Sequence, residues 1–502
     1  MSEKEETSLN SYAGSTSSDA GQGNKKIAIY STFTNNFDEV EEDWTPEEEK
    51  KATRKVDFLL LPLLFFAFFI LQIDRGNIAS AITAGLREEL KLTNDMINTG
   101  TGLFNVGIVV FEIPSNILMQ KVGPSKWLSF QVIIWSLFAT LQSCISSYSG
   151  FLATRFFMGV AEAGFIPCGL YYISTWYTKK EIVPRYSFYF LGNLVGSASS
   201  GLIASGIMKN VAGNFGKAGW KWIFIIEGVM GIGYGLIFAL LIPDSPIKPK
   251  SLFGFNLLNE RQSHIIKSKI YADDPIKIDS VEHITWNDLK STFKQWRIWV
   301  HFIFTLSFMQ NIQALSTYLP TIVRSLGYSS IAANAMSSIG GWSAIGFLIA
   351  LTAFSHYFQV RYISVIFVTL WQLSFTVALY CLSKTENSKA KFAVITCVFV
   401  SGANGHVLNC SWLSINVKQP LQRSIALAML VMAANMAGIS GGQVLRTNDA
   451  PRYTNAFTAL IVVSVFTLCV AIVLTIQYLP TKSRNEIKEA YKLVEAEKLK
   501  EL

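Results

Sequence analysis

The chain has 502 residues; half are hydrophobic, 13% are aromatic and only 16% are charged. Soluble domains carry about a quarter charged residues, and here the charge gathers at both ends and in the middle, which excludes a large water-soluble domain and indicates a chain that crosses a membrane many times. A net charge of +8 does not indicate nucleic acid, because the basic residues sit in short clusters at the ends of apolar stretches, where the positive-inside rule places them.

Residues 1–44 are polar and rich in Ser and Thr and read as a disordered cytoplasmic tail with no cleavable signal peptide. Thr45-Pro46-Glu47-Glu48 has the form of a helix start, with a capping hydroxyl, an early proline and acids near the positive end of the dipole. Lys50, Lys51, Arg54 and Lys55 follow directly before the first apolar run and set the N-terminus on the cytoplasmic side. A span needs about 20 apolar residues. Six candidates come before the central loop, at 57–83, 98–120, 126–146, 151–177, 187–208 and 222–243. Six follow, at 298–323, 334–357, 362–382, 391–413, 424–444 and 455–479. Threading from an inside N-terminus puts Lys121, Lys126, Lys179, Lys180, Arg185, Arg361, Lys418 and Arg423 on the cytoplasmic side, so both termini are expected there.

The expected organisation is therefore a first half at 45–243, a cytoplasmic central loop at 244–297, a second half at 298–480 and a cytoplasmic tail at 481–502. Within the central loop Trp286, Leu289 and Phe293 share one helical face beside Lys290 and Lys294, as in a helix lying along a membrane surface. All six cysteines lie in apolar segments without metal-ligand spacing, and neither a metal nor a cofactor is expected. The six-plus-six layout is similar to that of the major facilitator superfamily.

Ionisable groups inside a span are costly and default to functional candidates. The first half holds Asp74-Arg75 in span one, Glu112 in span two, Arg155 and Glu162 in span four, and Glu227 in span six. Arg155 and Glu162 are seven residues apart and share a helical face, with Gly159 between them leaving room for a neighbour or a substrate. An acid that can take a proton beside a fixed cation that can hold an anion suits a proton-coupled anion carrier. Glu112, ahead of Pro114, and Glu227 read as structural. Small residues at four-residue spacing, Gly192-Gly196-Ser200 and Gly438-Gly442, read as close-packing faces. The second half offers neutral polar groups instead: Gln310, Asn311, Asn404, His406, Asn409 and Asn435. Proton and anion charge would be handled by the first half, and substrate shape by the second.

Several motifs occur together in order. Asp74-Arg75-Gly76-Asn77-Ile78, Glu112-Ile113-Pro114-Ser115-Asn116, Arg155-Phe156-Phe157-Met158-Gly159, Glu162-Ala163-Gly164-Phe165-Ile166-Pro167, Gly219-Trp220-Lys221-Trp222 with Glu227-Gly228, and Asp449-Ala450-Pro451-Arg452-Tyr453 resemble the fungal allantoate permease branch of the anion:cation symporters, over about Trp44 to Leu479. The resemblance implies an all-α major facilitator fold of twelve transmembrane helices and proton-coupled uptake of a small organic anion such as a ureide or vitamin. It assigns Asp74 and Glu162 to proton coupling, Arg75 to the anion and Arg155 to their electrostatic balance; Asn77, Gln310, Asn311, Asn409 and Asn435 complete the candidate substrate contacts. Two departures stand out. Gln120-Lys121-Val122-Gly123-Pro124-Ser125-Lys126 lacks the superfamily's usual Asp-Arg…Gly-Arg pattern, and Lys221 replaces the usual arginine between two tryptophans. A monomeric transporter in the plasma membrane or endoplasmic reticulum is expected, and no nucleophile elbow or phosphate loop suggests an enzyme. The alternative is a nutrient receptor that keeps the fold without transport.

Overall fold

The computed structural model describes residues 44–178, 181–256, 258–273, 286–358, 361–385, 387–402, 404–417, 420–450 and 452–498. The N-terminal tail, Lys179, Lys180, Lys418 and Pro451 lie outside the described residues. Helices stand at all twelve expected positions, and the only β pairings among the described residues are two isolated bridges in the central connection. Ten helical stretches are long and apolar enough to cross a membrane. Trp296–Ser316 and Pro420–Gly441 occupy the seventh and eleventh positions. Large apolar side chains such as Phe66, Val110, Phe157, Leu236, Ile349 and Ile476 are exposed along the spans. In water such a surface would aggregate; in lipid it is the solvated face, and the helices satisfy their own backbone groups.

The first helix starts where the capping signal places it: the Thr45 hydroxyl accepts from the Glu48 N–H at 3.2 Å, and Glu48 Oε2 accepts from the Thr45 N–H at 3.0 Å. It then runs unbroken from Pro46 to Ala81, so the basic stretch and span one are one helix. A π-helical segment, Ile82–Leu86, follows, with Gly85 at φ 108°. A wide turn of this kind leaves a carbonyl without its i+4 partner. The Thr83 carbonyl accordingly accepts from Arg324 Nη1 at 3.1 Å and Ser330 Oγ at 3.0 Å.

Three expected spans are each two helices. Span four comprises Tyr148–Glu162 and Phe165–Trp176, joined through Gly164 at φ 79°. Span seven comprises Trp296–Ser316 and Leu319–Ser325. Span ten comprises Ser388–Ser401 and Asn404–Asn416, with Gly402 at φ 41°. Hydropathy shows one apolar run across each break because the interrupting residues are small or apolar. In the central connection, Glu260–Asp273 and Trp286–Phe293 are helical. In the latter, Trp286 and Phe293 are exposed, whereas Leu289 packs against the buried cluster of Ile298 and Leu413.

The small-residue face of span five meets backbone. A Cβ on Gly192 or Gly196 would meet the Phe65 and Phe69 carbonyls of span one, and Gly76 lies against Ser200. Span eleven crosses span two with Gly438 against the Asn105 side chain. The first six spans meet the last six along spans five and eight, where Gly201 lies against the Asn334 carbonyl and Gly341 against Ala198, along spans two and eleven, and where the first helix ends. There Tyr318 Oη donates to Asn98 Oδ1 at 2.6 Å, Asn98 Nδ2 to the Leu445 carbonyl at 2.8 Å, Gln443 Nε2 to the Asn98 carbonyl at 3.0 Å, and Asn334 Nδ2 to Thr83 Oγ1 at 2.7 Å.

Candidate functional site

Asp74 and Arg75 stand two turns before the end of the first helix, and Glu162 is the last residue of Tyr148–Glu162. A carboxylate at a helix C-terminus faces the negative end of the dipole and needs a cation nearby. Arg75 supplies it: its Nε donates to Glu162 Oε2 at 2.6 Å, with the Glu162 side chain fully buried and that of Arg75 19% exposed. The break after Glu162 is stabilised from span three, where Gln131 Nε2 donates to the Ala163 carbonyl at 2.7 Å. Gly164 also sits against Ser115 and the Glu112 carbonyl, space that a Cβ would fill.

Arg155 is buried and lies over the Phe104 ring, 4.4 Å from its centroid, with its Nε unbonded. Arg75 approaches the same ring at 5.7 Å. Both guanidiniums thus flank one aromatic of span two. The shared face of Arg155 and Glu162 holds, but Glu162 bonds Arg75, and Arg155 acts on it only through its charge. The room at Gly159 is taken by a neighbour: its position faces the Phe104 carbonyl, and Gly107 in return faces the Phe156 carbonyl and the Val160 N–H. Phe104 carries no charge and was not distinguished in the sequence among the many apolar residues of span two.

Asp74, Glu112 and Glu227 are also buried, each with carboxylate oxygens lacking a hydrogen bond. Asn77 is fully buried on the Asp74 side of the helix, its amide likewise unbonded.

The second-half candidates divide in two. Asn311 Nδ2 donates to Ser464 Oγ at 2.8 Å and Gln372 Oε1 at 3.3 Å, tying spans seven, nine and twelve. Asn409 Nδ2 donates to the His301 carbonyl at 3.0 Å and Thr305 Oγ1 at 2.9 Å, while its Oδ1 lies 2.6 Å from His301 Nδ1. Because Oδ1 can only accept, His301 carries its proton on Nδ1, and Nε2 accepts from Tyr478 Oη at 3.0 Å. Asn435 bonds back to its own helix at the Val431 carbonyl. Gln310 is partly exposed and donates to Ser440 Oγ at 2.5 Å. His301 escaped the sequence reading although it is a lone imidazole inside an apolar helix; that rarity was the available signal. His406, the histidine that reading singled out, lies near Thr305 at 3.4 Å.

Residues 64–442, about three quarters of the chain, match the Major Facilitator Superfamily. The chain belongs to that superfamily. Similar curated proteins are fungal. An uncharacterized transporter of Saccharomyces cerevisiae, YIL166C, is 29% identical over 89% of this chain and 82% of its own length. The major facilitator-type transporter hxnP of Emericella nidulans is 27% identical over 82% of each chain. Among solved structures, the xylose transporter XylE of E. coli in a partially occluded inward open conformation has a TM-score of 0.63 at 12% identity, covering 82% of this chain and 96% of that one. A bacterial homologue of the lysosomal transporter Spinster, inward-facing and occupied, also reaches 0.63, at 14% identity over 84% of this chain and 97% of that one. The likeness to solved structures shows the fold: this superfamily member is an all-helical, multi-pass membrane transporter.

Proposed function

We propose that this transporter carries a small organic anion inward together with protons, as its motifs' resemblance to the allantoate permease branch implies. The supporting observation is the Arg75–Glu162 pair: one partner is sealed from solvent, the other is partly open to it, and a second guanidinium shares its aromatic neighbour. An incoming carboxylate competes with Glu162 for Arg75, since both offer the oxygens that a guanidinium binds best. Glu162, displaced at the negative end of a helix and away from water, then takes a proton. Asp74 is the second proton carrier. Arg155 holds the site's positive charge when Glu162 is neutral, and Gln310, the most accessible of the second-half candidates, reads cargo shape.

With the N-terminus cytoplasmic, the hydrogen-bonded seam at Thr83, Asn98 and Tyr318 is the outer gate, and the two six-helix halves rock about the site. The same orientation puts both termini and the central connection in the cytoplasm, and the plasma membrane follows from an uptake role. The test is accumulation of radiolabelled nicotinate, pantothenate, biotin and allantoate by cells expressing the full chain. One of these should accumulate, accumulation should collapse with an uncoupler, and Glu162→Gln should abolish it. Uptake that ignores the proton gradient would sink the coupling.

A further inference from the structure

Across the described membrane interior of the first six spans there are four buried carboxyl groups, Asp74, Glu112, Glu162 and Glu227, against two guanidiniums, Arg75 and Arg155. If all were ionised, two negative charges would stand uncompensated in apolar surroundings, which burial heavily disfavours. Buried acids in that position take up protons instead. Geometry indicates which ones. Glu162 is held by Arg75, whose charge also acts on Glu112. Among the described residues, Asp74 and Glu227 have no cation in contact. Gly231, one turn beyond Glu227, lies against Ile70, one turn before Asp74, so the crossing of spans one and six brings the two acids to one level, where the charge of Asp74 acts on Glu227 and that of Glu162 on Asp74.

The surroundings of these two acids are built for protons. Asn77 faces Glu227 from span one, and Trp135 faces Asp74 from span three, neither completing a hydrogen bond of good geometry. Ser136, fully buried with its Oγ unbonded, lies against Gly231, one turn beyond Glu227. Span five presents apolar Ala204 and Met208 to span six, so no further charge faces the pair from that side. A carboxylate pair with unfilled donors and acceptors on three spans, next to an occupied ion pair, is a place where a proton has several partners within reach.

We propose that Glu227 is a proton-carrying group of the transport cycle, titrating as a pair with Asp74 across Asn77. It rests on the proton-coupled reading above and adds a third carboxyl to it. The proton arrives with its charge and leaves the same way, so only an O–H bond forms and breaks. Two like acids so placed release their protons in two separated steps that belong to the pair, and neutralising Asp74 while Glu162 is freed lets the cluster pass through the rocking motion without net negative charge.

The experiment uses the purified full chain in lipid nanodiscs without any cargo. Infrared difference spectra between acidic and alkaline buffer record the carbonyl stretch of protonated carboxylic acids. The wild type should lose such intensity in two steps as pH rises. Glu227→Gln should remove one step and leave a single one, and Asp74→Asn should move the remaining Glu227 step to lower pH, because a neighbouring negative charge is gone. Isotope labelling of glutamate carboxyl carbons in the unmutated chain should shift one of the two bands and leave the aspartate band in place, so the test survives even if Glu227→Gln fails to fold. A wild-type spectrum without a titrating, isotope-shifted glutamate band beyond those lost in Glu162→Gln and Glu112→Gln overturns the proposal, as does a Glu227 step unmoved by Asp74→Asn. If uptake ignores an uncoupler while these bands titrate as described, the coupling reading falls and Glu227's part in transport falls with it, whereas coupled uptake with no such Glu227 band overturns the Glu227 proposal alone.

Discussion

At Arg75 one guanidinium serves two partners in turn, Glu162 in this structure and a cargo carboxylate in the proposed cycle. Its planar fork suits both, whereas an ammonium on a flexible stem would fix neither in register. Arg75→Lys should therefore keep the chain folded, by size-exclusion profile, but lower uptake at limiting cargo at least tenfold. In the second half, Asn409 makes both of its donations to span seven and accepts from His301. Asn409→Leu leaves a buried imidazole N–H without an acceptor, and an unmet buried donor costs about 1–3 kcal/mol. Thermal unfolding should show that loss, with uptake per folded molecule little changed. The sequence displays Asn409 only as one neutral polar residue among several. Its partner His301 lies 108 positions away, and spacing along one helix says nothing about contacts between helices.

The crossing of spans two and four is a seam of main chain on main chain. Gly107 and Gly159 each face the other helix's backbone, so an added methyl has no flexible side chain to displace. Gly159→Ala should cost about 1–3 kcal/mol in folded stability, read as a lower melting temperature in detergent, and should weaken uptake because Phe104 moves with its helix. The connection helix Glu260–Asp273 is held from outside the membrane. Lys269 Nζ donates to Glu181 Oε1 at 2.6 Å, and Arg185 pairs with Asp57 at 2.8 Å beside it. Partial burial works against the Glu181 charge, but Lys269 and Thr178 outweigh it and hold its carboxyl below the usual range. A depressed acid contributes stability that is present above its unfolded pKa and lost as pH falls through the folded one. Hydrogen exchange across 260–273 should accordingly stay slow at neutral pH and quicken below about pH 4. Glu181→Gln should show the faster exchange at every pH. Helix positions were legible from hydropathy and from the Thr45–Glu48 cap. The breaks at Gly164 and Gly402 were not, since a single glycine barely alters an apolar window.

For the whole molecule, the proposed cycle makes the hydrogen-bonded seam around Thr83 and Asn334 the closure between the two faces of the transporter. A short thiol cross-linker between Thr83→Cys and Asn334→Cys, with the six native cysteines replaced, should stop uptake, and cleaving the linker should restore it. Uptake that continues while cross-linked would mean that this seam does not open during transport. The layout of six and six helices could be read from apolar runs and loop charges because lipid imposes both. The pairing of Arg75 with Glu162 could not, because Arg155, seven residues before Glu162 on its own helix, is the nearer cation in sequence. The glycine seam between spans two and four also limits how such a carrier diversifies. With the backbones of Phe104 and Gly159 already touching, no added side chain fits between spans two and four, and the Arg155–Phe104 contact is kept in any variant that folds. An engineer wanting a bulkier cargo would leave this seam alone and vary the second half, beginning with the partly accessible Gln310–Ser440 contact.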